Sequence, residues 1–245
     1  MPAPPPPAAK EAGEERKEVK EAVPPSPRLA LIIDDGGYSI EKYQMMMGTG
    51  RPMTISILPG GPHARKVALL AHENGTEVML HLPMEPKESH RYPLERNTVL
   101  AGMTKEEIQT ILRKDLAQIP HARGVNNHMG SKATEDPTVM QALMEVLKKE
   151  GLFYIDSHTT AHTMGPKMAR QAGVAFGSND RFIDPERDLE NIKKAIRLAM
   201  KRARQEGKAI AIGHPHPMTA QAIREMLPEI DGAGIKLVFA SEVVG

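Results

Sequence analysis

Short apolar runs recur along the whole chain, at 29–33, 53–58, 77–80, about 123–126, 152–155, 174–176, 208–212 and 235–239, and helix-period segments separate most of them. This is βα repetition. Several of the intervening helices carry their own start and stop signals. "TKEE" at 104–107 is a capping box, Asp136-Pro137 and Asp184-Pro185 each place a cap before a first-turn proline, and Gly151 and Gly207 close the helices that follow. In the last of these, Leu189, Ile192, Ile196, Ala199 and Ala203 form one apolar stripe to lay against a sheet. Seven or eight such units in the roughly 218 residues from Arg28 onward fit a (β/α) barrel at the small end of its range. A doubly wound open sheet is the second choice. Both put chemistry at the carboxyl ends of the strands, but only a barrel brings every strand end to one mouth.

Those ends are polar. Asp34 and Asp35 follow "LALII", His81 follows "EVML", Asn126, Asn127 and His128 follow "ARGV", Asp156, Ser157 and His158 follow "LFYI", and His214 and His216 follow "AIAIG". Five of the ten histidines fall in these few positions. Each motif alone has a bland account: an Asp pair capping a helix, a core histidine, an Asn-Gly turn, a proline-stiffened loop. Their concentration at one end of the strands points instead to a functional cleft. Successive strand residues face opposite sides, so Asp34 and Asp35 share a site only if the backbone turns between them, and Gly36-Gly37 permits that turn. One carboxylate can then bind a metal while the other accepts a proton from water.

Composition narrows the chemistry. With no cysteine, disulfides and thiol catalysis are excluded, and a metal must be held by His, Asp or Glu. That donor set favours zinc among divalent ions. The 32 basic and 31 acidic side chains nearly cancel without a like-charged block, which argues against a nucleic-acid partner. There is no run of about 18 apolar residues and no signal-peptide apolar core, so no membrane span is expected. Residues 1–27, with "PAPPPPAA", "KEAGEERKEVKE" and "VPPSP", read as a disordered tether ahead of one domain at 28–245.

"LIIDDGG", "GTEVMLHLPMEP", "GVNNHMGS", "FYIDSHT" and "AIGHPHPMT", in that order, resemble the divergent polysaccharide deacetylase family of bacterial envelope proteins. The resemblance spans nearly everything from Arg28 onward. It implies a distorted (β/α)7 barrel, a periplasmic or envelope location and a metal-dependent reaction on an acetylated glycan. It also implies roles: Asp34 as general base, Asp35 as metal ligand, His81 as first metal histidine and His214 as general acid. Two departures stand out. Glu85 occupies the place of a second metal histidine four residues after His81, and "NNHMGS" replaces an Arg-x-Pro-Tyr segment.

His128, from the most concentrated polar segment, is the preferred third ligand. Glu85, Asp156, His158 and His216 are further candidates for the metal or its supporting contacts, with Asp156 and His158 as a paired unit. Tyr38, Tyr92, Asn127 and Ser131 are the candidate substrate contacts, and Tyr92 lies in the aperiodic segment 82–103, long enough to be a loop over the mouth. Two other readings stay open: a non-catalytic metal- or glycan-binding barrel serving an envelope complex, and a metal hydrolase acting on a non-carbohydrate ester or amide.

Overall fold

The computed structural model describes residues 1–3, 26–91 and 93–245; the tether expected over 1–27 lies almost wholly outside these residues, as does Tyr92. The chain alternates strands β1 (Arg28–Gly36), β2 (Thr54–Ile57), β3 (Glu77–Met84), β4 (Ala122–Met129) and β5 (Phe153–Asp156) with helices α1 (Ile40–Met47), α2 (Ala64–Glu73), α3 (Lys105–Leu116) and α4 (Pro137–Glu150). Helix α5 (Gly165–Ala172) then leads to β6 (Phe176–Ser178) and β7 (Arg181–Phe182). Helix α6 (Leu189–Glu206), β8 (Lys208–Gly213), α7 (Pro217–Gly232) and β9 (Lys236–Val238) complete it. The strand order is β6-β5-β4-β3-β2-β1-β8-β7, with every pairing parallel. The two ends of that order are joined by only Asn179 and Asp180, whose amides bond to Asp156 O and Ile210 O. The sheet therefore curls into the expected (β/α) barrel, closed by one stretch of chain that leans on β5 and then on β8.

Residue alternation sorts the side chains into two layers. Ala30, Ile32, Met79, Phe153, Ile155, Ile210 and Ile212 fill the interior, while Leu29, Leu31, Ile33, Val78, Leu80 and Tyr154 face the helices. Strand β9 lies along the amino-terminal half of β1, and Val238, Ala240 and Val243 run beneath the interior layer and seal that end. One end of the barrel is left for the mouth. The capping box at Thr104, the Asp136 cap and the left-handed glycines 151 and 207 all form as their residues dictate. Asp184 does not. Helix α6 starts at Leu189 under Asp188, whose side chain accepts from Asn191 N, and Asp184 is spent elsewhere. Among the described residues, no helix is long and apolar enough to cross a membrane.

Candidate active site at the barrel mouth

The interior alternation that buries Ala30 and Ile32 continues to Asp34, and on neighbouring strands to Ser56, His81, Asn126 and Ser157, all buried. Asn126 joins them. Its Nδ2 donates to Asp34 Oδ1 at 2.9 Å and Ser157 Oγ at 3.2 Å. Its Oδ1 faces Ser56 Oγ at 2.5 Å and His81 Nδ1 at 2.8 Å.

Asp35 reaches the same side by a kink in β1. The pairing register with β2 slips between Ile33 and Gly36, and Asp35 itself takes φ 54°. The sequence assigned this turn to Gly36-Gly37; it begins one residue earlier, because aspartate tolerates the left-handed region better than most side chains. Gly37 follows at φ 104°, where a Cβ would lie 3.0 Å from Ile57 and 3.1 Å from Ala64.

Asp35, His81 and His128 each offer a ligand atom, all within 4.8 Å of one another. Asp35 Oδ1 lies 3.4 Å from His81 Nε2 and 3.2 Å from His128 Nδ1, and the two ring nitrogens are 3.1 Å apart. Asp35 Oδ1 is buried yet has no hydrogen bond. An orphaned carboxylate oxygen between two imidazole nitrogens is a donor set that fits a divalent cation such as zinc. Burial would raise the Asp35 pKa, but the His128 and His81 rings hold it well below the usual carboxylate range. Burial raises Asp34, against the pull of His81 and Asn126. For His81 burial opposes the charge, yet Asp34 and Asp35 keep it above the ordinary histidine value.

His214 completes the ring from β8, its Nε2 4.0 Å from Asp35 Oδ2. Its other nitrogen, Nδ1, meets Asp184 Oδ1 at 2.9 Å, while Asp184 Oδ2 accepts from His214 N and Thr219 Oγ1, both at 2.7 Å. Burial alone would lower His214; the Asp184 carboxylate lifts it to about 9.

The remaining candidates go elsewhere. Glu85 turns from the cluster to take Lys132 Nζ at 2.8 Å and Ala101 N at 2.9 Å. Asp156 and Asn127 follow the opposite strand phase and face the helices. Asp156 accepts from Thr163 Oγ1 and from the His158 backbone amide, so it does not orient the His158 ring. Asn127 is consumed by Tyr154 OH, Ser157 N and Met129 O. His158 is exposed at φ 57° in a side groove with Arg181 and Lys201. His216 sits at the α7 cap position, its ring centroid 6.4 Å from that of His214. Ser131 Oγ accepts from Lys87 N. Tyr38 stays on the rim, 46% exposed, its hydroxyl donating to Glu95 Oε1.

The sequence marks Asp184 only as a helix cap, and it gives no sign of Ser56 or of the hub role of Asn126. "RFID" at 181–184 repeats the pattern of "FYID", an apolar run ending in Asp, and was the available signal.

The model of the divergent polysaccharide deacetylases matches residues 31–244. The chain belongs to that family. The chain is 36% identical over 217 residues to the uncharacterized protein YibQ of Escherichia coli K12, covering 89% of this chain and 67% of YibQ. Among solved structures, the uncharacterized protein ATU2773 of Agrobacterium tumefaciens C58 superposes with a TM-score of 0.85 at 24% identity, covering 89% of each chain. The catalytic domain of a peptidoglycan N-acetylglucosamine deacetylase from Eubacterium rectale shares the fold at a TM-score of 0.54 and 13% identity, covering 89% of this chain and 90% of that one.

Proposed function

We propose that this member of the divergent polysaccharide deacetylase family removes acetyl groups from an envelope glycan by hydrolysis, with a divalent cation, zinc by its donor set, held by Asp35, His81 and His128. The observation that carries this reading is the convergence at one mouth of an orphaned carboxylate oxygen, two histidine nitrogens, a second buried carboxylate and a carboxylate-backed histidine. When bound, the cation would supply Lewis acidity toward the acetyl carbonyl oxygen and toward water.

The protein's own groups carry the protons. Asp34, made more basic by burial, accepts one from the attacking water as its oxygen bonds to the acetyl carbon. His214 enters charged, because Asp184 keeps its proton on, and hands it to the sugar nitrogen or oxygen as the bond to the acetyl carbon breaks. Acetate and a free amine or hydroxyl leave. Tyr38, with its hydroxyl tied down and its ring open to solvent, is the rim group suited to packing on a sugar. The family supports an envelope location for such a substrate.

The test is metal content after zinc loading, followed by acetate release from acetylated sugars and from simple esters and amides. Stoichiometric zinc and release from a glycan support the reading. Zinc without turnover of any of them makes a binding barrel the better account, and release only from non-carbohydrate compounds moves the substrate class.

A further inference from the structure

The amide of Asn126 has one orientation that its surroundings allow. Asp34 accepts hydrogen bonds when ionised, so Nδ2 must face it at 2.9 Å; the reverse orientation would set a carbonyl oxygen against a carboxylate. Oδ1 is then fixed toward Ser56 and His81, and its 2.8 Å contact with His81 Nδ1 requires the proton on that nitrogen. The lone pair of neutral His81 is thereby left on Nε2, the atom that faces Asp35 and His128.

We propose that Asn126 is the positioning residue of this centre, with one amide setting the metal-binding tautomer of His81 and, through its other end, aiming the carboxylate of Asp34. The proposal rests on the metal-dependent reading above and adds a coupling to it. Whatever draws electron density from His81 Nε2 makes the Nδ1 hydrogen a stronger donor to Asn126, and Asn126 in turn a stronger donor to Asp34. Asn126 is 0% exposed and bonds on both ends.

Two variants divide the roles. Asn126→Ala removes both ends and should weaken zinc about 10- to 100-fold. Asn126→Asp keeps an acceptor for His81 and removes the donor to Asp34. It should hold zinc at wild-type affinity or tighter while kcat falls on the order of 10²-fold. A second readout needs neither metal nor substrate: in nitrogen-labelled protein, the His81 Nδ1 proton should be exchange-protected in the wild type and in Asn126→Asp, and lost in Asn126→Ala. Because Asn126→Asp is isosteric, it serves where the alanine variant melts too low to measure.

Wild-type zinc affinity with a protected His81 proton in Asn126→Ala overturns the proposal, as does an Asn126→Asp protein that binds zinc as weakly as the alanine variant or turns over like the wild type. A wild type that binds zinc through this arrangement but deacetylates nothing overturns the reaction and leaves the positioning role supported.

Discussion

His214 and Asp184 are two side chains from separate strand ends, joined Nδ1 to Oδ1 at 2.9 Å. The raised pKa of about 9 means that the charged form of His214 stabilises the fold. That contribution is complete below the unfolded value near 6.5 and disappears as pH rises through 9. Asp184→Asn should therefore cost most between about pH 4 and 6.5, less at neutral pH and little above pH 10, as read from melting curves. It should also bring the basic limb of the pH–rate profile down toward the ordinary histidine value. In parallel, Asp34→Asn and His214→Ala should retain zinc and lose about 10²- to 10⁴-fold in turnover; turnover at the wild-type level in both would remove the acid–base assignment. Asp34, Asp35, His81, His128 and His214 were legible because strand ends in a barrel meet, whatever their separation in sequence. Asp184 was not, because Asp-Pro before a helical stretch carries the same letters as a cap. Asn126 was visible as a polar strand end, but its role depends on side chains that four other strands bring to it.

Among the elements, β1 and α3 each hold a carboxylate under tension. In β1 the left-handed turn is what lets adjacent aspartates look the same way. Asp35→Asn, which tolerates that backbone, should fold normally and lose stoichiometric zinc, whereas Gly37→Ala should cost about 1–3 kcal/mol of stability because neither its φ nor its space suits a side chain. Chemical denaturation and elemental analysis separate the two effects. In α3, Asp115 is 0% exposed, with Oδ1 held by Asn97 and Gln118 and Oδ2 without a partner. Burial raises its pKa to about 6. A carboxyl that binds its proton more tightly when folded makes the fold less stable as pH climbs from about 4 to 6, and the loss persists above that. Asp115→Asn should accordingly raise the melting temperature by a few degrees at pH 8 and by less at pH 4. The elements themselves were largely readable, since apolar runs and caps are local signals. The short β7 escaped because two residues carry no periodicity, and the kink in β1 was placed one residue late because glycine is the usual owner of a positive φ.

For the whole molecule, the mouth and the sealed end do separate jobs. The seal is built from Ala240, whose amide bonds to Thr54 Oγ1, Val243, whose carbonyl takes Lys208 Nζ, and Gly245, whose amide bonds to Phe176 O. Ending the chain at Val238 should lower the melting temperature by about 10 °C or more, on the order of several kcal/mol of lost burial and hydrogen bonding. Zinc binding below that temperature should survive, since Asp35, His81 and His128, the proposed ligands, sit at the opposite end; loss of zinc in protein that remains folded would show the two ends to be coupled. Strand β1 pairs on one side with β2 and on the other with β8, so Ile32 lies beside both Thr54 and Ile212. During synthesis the two aspartates are among the first site residues to leave the ribosome, and they wait there until nearly all the rest of the chain has followed. A half-made chain exposes an open sheet edge and an unassembled mouth. On the proposed function, metal acquisition would thus be an event of the finished polypeptide, since the three ligand-bearing strands meet only once the sheet has closed.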